Sequence, residues 1–309
     1  MQNFTLPQLH IFATNRFSLV FAVLATLMLS ACSSVEEREE FSIGMIETEL
    51  YTEASDLIER SQYTVAAQFL QAMEAQFPFG IFAEQAQLDL VYCYYQAGQH
   101  DAAMATADRF IRLHPEHPDV DYIYYMRGLV SFNQENSFVG DFFPLDATKR
   151  DPGSARESFA FFSEFLARFP NSEYSADARK RMIYLRNMLA RHEINVANYY
   201  FGRGAYLAAT NRGRYVVESF QGSPAVPDGL AIMAQGYTLL GMHELAQNSV
   251  DILQINYPDH PALDAEGNFI ERDIASGIQR SWINKLSFGI LDQPDGLGYD
   301  TRDIYTPAP

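Results

Sequence analysis

The sequence predicts an all-α chain, a solenoid of about five stacked helical hairpins. Three observations predict it. The chain repeats itself at a period in the thirties, Gly and Pro fall at fixed places within each period, and the apolar residues between them recur at helical spacing.

Composition bounds the remaining possibilities. With 309 residues, 48% apolar and 14% aromatic, the chain can bury a substantial core in one or two domains, which excludes wholesale disorder. Acidic residues outnumber basic ones by 39 to 22, a net charge of −17. Nucleic-acid affinity comes largely from Lys and Arg displacing counterions, so DNA and RNA are excluded as main partners. Cys32 and Cys93 are the only cysteines, so no disulfide framework holds the fold, and the paired Cys-x-x-Cys of zinc and redox sites is missing.

Taken in chain order, residues 1–31 hold no Asp, Glu or Lys and a single Arg, Arg16, followed by an apolar run from Phe17 to Leu29. At about 13 residues the run is short of the roughly 20 that a permanent membrane helix needs, and it reads as a cleaved signal peptide. It ends in Leu29-Ser-Ala-Cys32, which resembles a bacterial lipobox. The resemblance implies a diacylglycerol thioether and an N-acyl chain on Cys32, enough acyl chains to hold a protein stably on a bilayer. The alternative is an ordinary secretory signal with a chance cysteine, and it requires Leu, a small pair and Cys to coincide at the end of the run. Ser33 follows the cysteine where Asp does not, and by the same resemblance this points to the outer membrane with the protein body in the periplasm. Residues 32–46, with Ser-Ser-Val-Glu-Glu-Arg-Glu-Glu at their start, read as a charged, solvated tether.

The repeats occupy residues 47–258. Leu90, Tyr94, Gly98, Ala103, Ala107, Phe110 and Pro115 are matched by Met233, Tyr237, Gly241, Ala246, Val250, Leu253 and Pro258 at the same offsets. Each set puts apolar residues on a first helix, Gly at the turn, a small Ala for a close helix crossing, and Pro to stop the second helix. Both resemble tetratricopeptide repeats. Weaker copies carry Ala54, Leu57, Tyr63, Ala66, Leu70 and Pro78, and then Val196, Ala197, Tyr200, Gly204, Tyr206 and Ala209. Phasing from Glu47 gives starts near 47, 84 and 121, then 190 and 227. The third repeat is interrupted: its helices are expected over 122–132 and 152–169, with an irregular insertion over 133–151. Such insertions map to exposed loops that often form contact surfaces. Asp177 to Phe201 has unbroken helical composition and predicts one long helix or two nearly continuous ones. Beyond Pro258 the pattern dissolves. Residues 259–309 read as a mostly disordered polar tail, with a helix expected over 270–285 around Trp282.

Chemistry-bearing clusters are few. His114-Pro-Glu-His-Pro-Asp119 with Asp121 gathers two imidazoles and three carboxylates, but its prolines prevent the single-face arrangement that a helical His pair achieves. It reads as the turn between repeats two and three rather than a metal site. His-Glu-x-x-His, Gly-x-Ser-x-Gly and Walker-type sequences do not occur, and Cys93 sits among Leu90, Tyr92 and Tyr94 as a buried thiol. No catalytic residues, metal or dissociable cofactor are expected. The aromatic clusters Tyr92, Tyr94, Tyr95; Tyr122, Tyr124, Tyr125; and Phe159, Phe161, Phe162, Phe165 serve the core or line a peptide groove.

Several strings carry a more specific resemblance: Gln76-Phe-Pro-Phe-Gly80, Asp108-Arg-Phe-Ile-Arg-Leu-His-Pro115, Val120-Asp-Tyr-Ile-Tyr-Tyr-Met-Arg-Gly128, Arg150-Asp-Pro, Phe169-Pro-Asn-Ser172 and Arg203-Gly-Ala-Tyr206. Over roughly residues 32–258 the chain closely resembles the BamD family, lipoproteins of the machinery that folds β-barrels into the outer membrane. The resemblance implies a five-repeat scaffold whose N-terminal repeats receive unfolded barrel proteins and dock accessory lipoproteins. Its C-terminal repeats would grip the POTRA-containing insertase. By position, Phe77, Pro78, Phe79 and Gly80 fall in the turn tied to client recognition, where the family often has Tyr at the place of Phe77. Arg212 falls at the position tied to the insertase, or stands as a solvated helix-face arginine. A cell-wall or division-associated repeat lipoprotein is the alternative function, and an envelope hydrolase acting through His114, His117 and Asp119 is weaker still.

Overall fold

The computed structural model describes residues 45–134, 147–272 and 298–302. The signal segment, Cys32, the tether up to residue 44 and insertion residues 135–146 lie outside the described residues, as does Trp282 with the rest of 273–297. The described residues form ten α-helices, which follow one another along the sequence as five pairs. These are α1 (Glu47–Glu59) and α2 (Tyr63–Gln76), α3 (Ala83–Gln96) and α4 (His100–Leu113), α5 (Val120–Gln134) and α6 (Gly153–Arg168), α7 (Ser175–Gly202) and α8 (Tyr206–Ser219), and α9 (Val226–Leu239) and α10 (His243–Asn256). A short 3-10 turn, Ala147–Lys149, precedes α6. The fold is all-α and tetratricopeptide-like, and the β pairing among the described residues is one isolated bridge, Leu263 to Phe269.

Local chemistry sets the helix boundaries. Gly98, Gly204 and Gly241 close the turns inside three pairs with φ between 70° and 72°, a region that L side chains enter only at a cost. Ser61 takes the same role in the first pair with φ 58°. The second helix of each pair starts with a small residue in its first turn: Ala66, Ala103, Ala155, Ala209 and Ala246 are all buried. Helix α7 runs 28 residues without a break, as its composition requires.

The described residues divide into two compact units, one ending at Gln99 and one beginning at His100. The first buries Leu50, Ala54 and Leu57 of α1, Ala66, Leu70 and Met73 of α2, and Ala86, Leu90 and Cys93 of α3. In the second, Tyr124, Tyr125, Phe162 and Phe165 are core residues of the third pair. Tyr125 stacks on Tyr174 at 4.8 Å and donates to Asp177 at 2.6 Å. A larger cluster joins Ala190, Ile194, Ala197 and Phe201 of α7 to Val216, Leu230, Ile232 and Leu253. Half of the clustered aromatic rings are therefore buried in the core, while Tyr92, Tyr95, Tyr122, Phe159 and Phe161 are half-buried.

Part of the C-terminal stretch differs from the mostly disordered tail expected. Residues 259–272 and 298–302 are packed: His260, Ala262, Leu263, Tyr299 and Thr301 are all buried. Residues 270–272 are not helical, the Ile270 N–H donating to Ala262 O at 2.8 Å, and the rest of the helix expected over 270–285 lies outside the described residues.

Candidate functional site

The turn after α2 is built to expose apolar side chains on a fixed backbone. Helix α2 ends as the Phe77 N–H donates to Met73 O at 2.8 Å, and Pro78 lacks the N–H that would continue it. The chain then folds back through Gly80 N–H to Phe77 O at 3.0 Å and Ala83 N–H to Gly80 O at 3.2 Å. Glu47, in the first turn of α1, accepts the Phe82 N–H at 2.7 Å. A Cβ on residue 80 would lie 2.1 Å from that carboxylate, so a side chain there would displace Glu47 from its bond to Phe82. Tyr51 stacks on Phe82 at 4.5 Å and 6°, and its hydroxyl donates to Asp89 at 3.0 Å. Burial, then the Asp89 charge, pushes the Tyr51 phenol up to about 12, so it remains a donor at neutral pH.

On this frame Phe77 is half-buried, whereas Phe79 is 99% and Ile81 is 82% exposed. The four residues Phe77–Gly80 are thus split between anchor and display. Ile81 joins Phe79 at the surface and was not singled out in the sequence, although it directly follows the Phe-Pro-Phe-Gly string. Glu47 was equally unmarked, since its target lies thirty-five residues away.

Arg212, on α8, points to Glu193 of α7, with Nη1 2.8 Å from Oε2. Glu193 is 3% exposed and also receives Arg156 of α6 at 3.1 Å, so one buried carboxylate is shared by two arginines. Arg212 itself is 41% exposed, which leaves part of its guanidinium facing solvent. The residue thus braces α7 through Glu193 and still presents an edge to solvent.

The other sequence candidates settle into structural roles. His114 and His117 pack on Phe110 with ring centroids at 5.1 and 5.2 Å, and His117 Nδ1 accepts the Asp119 N–H at 3.1 Å. No group of three or more potential metal ligands converges among the described residues. Cys93 is fully buried, and burial together with the Asp89 charge pushes its thiol up to about 12, so the nucleophilic thiolate is suppressed.

A family model described as YfiO, outer membrane lipoprotein, matches residues 44–252. The outer membrane protein assembly factor BamD of Neisseria meningitidis serogroup A is 40% identical over 248 residues, covering 79% of this chain and 93% of its own. The protein of the same name from Xylella fastidiosa (Temecula1) is 37% identical over 79% of this chain and 84% of its own. That of Vibrio cholerae is 33% identical over 78% of this chain and 99% of its own.

Proposed function

This chain belongs to the YfiO family of outer membrane lipoproteins, that of the assembly factor BamD, and we propose that it is a non-catalytic scaffold in outer-membrane protein assembly. It works at the periplasmic face, held there by acyl chains on Cys32. Its N-terminal repeats receive unfolded barrel proteins through the Phe77–Gly80 turn and dock accessory lipoproteins. Its C-terminal repeats hold the POTRA-containing insertase, with the exposed edge of Arg212 in that contact.

The observation that carries the reading is the pair Phe79 and Ile81, almost fully exposed on a turn tied down by Glu47 and Tyr51. Leaving two large apolar side chains in water forgoes roughly 1.5–3 kcal/mol each relative to burial, a cost recovered when an apolar segment of a client covers them. The suppressed thiol of Cys93 and the turn-bound imidazoles of His114 and His117 support a scaffold over an enzyme.

The test is affinity purification of tagged chain from detergent-solubilised outer membranes, alongside Cys32→Ala. The reading expects a POTRA-containing barrel protein with the wild type, and release of the Cys32→Ala chain into the soluble periplasmic fraction. Recovery of only peptidoglycan-associated or division proteins would give the scaffold a different task. A Cys32→Ala chain that still pellets with membranes would remove the lipid anchor.

A further inference from the structure

Residues 298–302 lie against α7 and α9 of the C-terminal unit as a short strap. Its centre is Tyr299, 1% exposed. Asn198 holds the Tyr299 backbone from both sides, donating to its C=O at 3.0 Å and accepting its N–H at 3.2 Å. The Tyr299 hydroxyl donates to Gln235 at 3.1 Å, and the Arg272 guanidinium stacks on its ring at 4.3 Å while bonding Gly298 O. Two residues on, the Thr301 N–H and hydroxyl both donate to Asp228 at 3.0 Å. A Cβ on residue 298 would meet the Asn198 amide at about 2 Å, so a side chain there would push that amide off the Tyr299 backbone.

These contacts have the character of ligand recognition. A side-chain amide that pairs with both backbone groups of one residue reads any extended peptide, while the aromatic pocket and the carboxylate two residues away select the sequence. The receiving groups are preorganised without the strap: Gln235 is bonded to the Arg272 backbone at 2.8 Å, and Asp228 is held by Arg191 and by His260 at 3.2 Å. The strap also leaves room beside it. A cleft of about 940 Å³ lies there, bordered by Lys149, His192, Asn195, Tyr199, Asp300 and Thr301.

We propose that repeats four and five carry a binding site for an extended polypeptide with an aromatic residue and, two positions on, Thr or Ser, and that residues 298–302 are its intramolecular occupant. A tethered segment acts at an effective concentration on the order of millimolar, so a micromolar competitor enters only where the strap is weakened or displaced. The site is separate from the Phe77–Gly80 turn, and it stands whether or not the chain serves barrel assembly.

The test uses the full chain and a fluorescein-labelled peptide of residues 296–303, read by anisotropy. The Tyr299→Ala/Thr301→Ala chain should bind it saturably and at least tenfold more tightly than wild type, and a peptide carrying Ala at the Tyr position should not bind. Equal binding to both chains, or no saturable binding to a double variant that still melts cooperatively, would make the strap a fixed brace and overturn the proposal. Should that variant not fold, hydrogen exchange at the Tyr299 and Thr301 amides of wild type decides. Unlabelled peptide raised above the roughly millimolar effective concentration of the strap should speed exchange at both, and unchanged rates there would likewise overturn it.

Discussion

Asp228→Asn removes one charge from a fully buried polar site in the C-terminal unit while keeping the size of the side chain. Asp228 is 0% exposed and accepts from Arg191, His260 Nε2, and the N–H and hydroxyl of Thr301. The Ala262 N–H points at His260 Nδ1 at 3.1 Å, so that nitrogen accepts and Nε2 carries the proton given to Asp228. Every neighbour is therefore a donor, and the Asn amide nitrogen must face at least one of them. Breaking a buried ion pair costs about 3–5 kcal/mol, and because Arg191 keeps Asp300 at 3.2 Å the lower end, about 3 kcal/mol, is expected. For a unit of this size that is a fall of roughly 6–12 °C in melting temperature. Burial alone would raise the Asp228 carboxyl, but the His260 hydrogen bond and the Arg191 charge more than offset it and hold the group below the usual carboxylate range. Its contribution is then complete above the unfolded-state value of about 3.9 and disappears as pH falls through the lower folded value. Urea denaturation of wild type and variant should show the full gap at pH 7 and a narrowing gap below about pH 4. A gap under about 1 kcal/mol at pH 7, or one that stays constant into acid, would refute the reasoning.

Three further outcomes follow from the same geometry. Gly213→Ala would put a Cβ 2.7 Å from the Gly229 carbonyl where α8 crosses α9, a backbone that cannot step aside, and denaturation should show a loss of about 1–3 kcal/mol. Phe79→Ser with Ile81→Ser should leave the melting temperature nearly unchanged, since both side chains are in solvent, yet reduce cross-linking to unfolded barrel clients; cross-linking at wild-type yield would remove the turn from the recognition surface. Arg212→Glu sets a second carboxylate against buried Glu193 and should cost about 1–3 kcal/mol, limited by the solvent exposure of position 212, whereas Arg212→Lys should recover most of it. Insertase co-purification must therefore be compared at matched stability, and an unshifted denaturation midpoint for Arg212→Glu would mean that the pair does not form in solution.

The repeats were legible because their signals are local. A Gly that takes φ near 70°, a Pro that ends a helix, and apolar residues at helical spacing each act within a few residues, so four pair starts fall within a residue of those read from the string, whereas the fourth, expected near 190, lies inside α7, which begins at Ser175. The long helix α7 was legible for the same reason, being an unbroken run without Pro. The Phe77–Gly80 turn was visible as a string, but which of its rings is displayed was not, because Glu47 and Tyr51 decide that from another helix.

By itself, then, the sequence determined the all-α repeat array, the places where its helices turn, and, through its resemblance to known lipoproteins, the family. Tertiary structure alone decided that Arg212 is tied to Glu193, that Gly213 and Gly229 let two backbones touch, and that Tyr299 and Thr301 are buried rather than part of a loose tail. The physical reason is distance along the chain. Thr301 finds Asp228 across 73 residues and Tyr299 finds Asn198 across 101, and neither Gly-Tyr-Asp-Thr nor a lone helical Asn or Asp carries any local preference for its partner. Such pairings exist only once folding has brought the groups within hydrogen-bond reach, where burial makes each one costly to leave unmade.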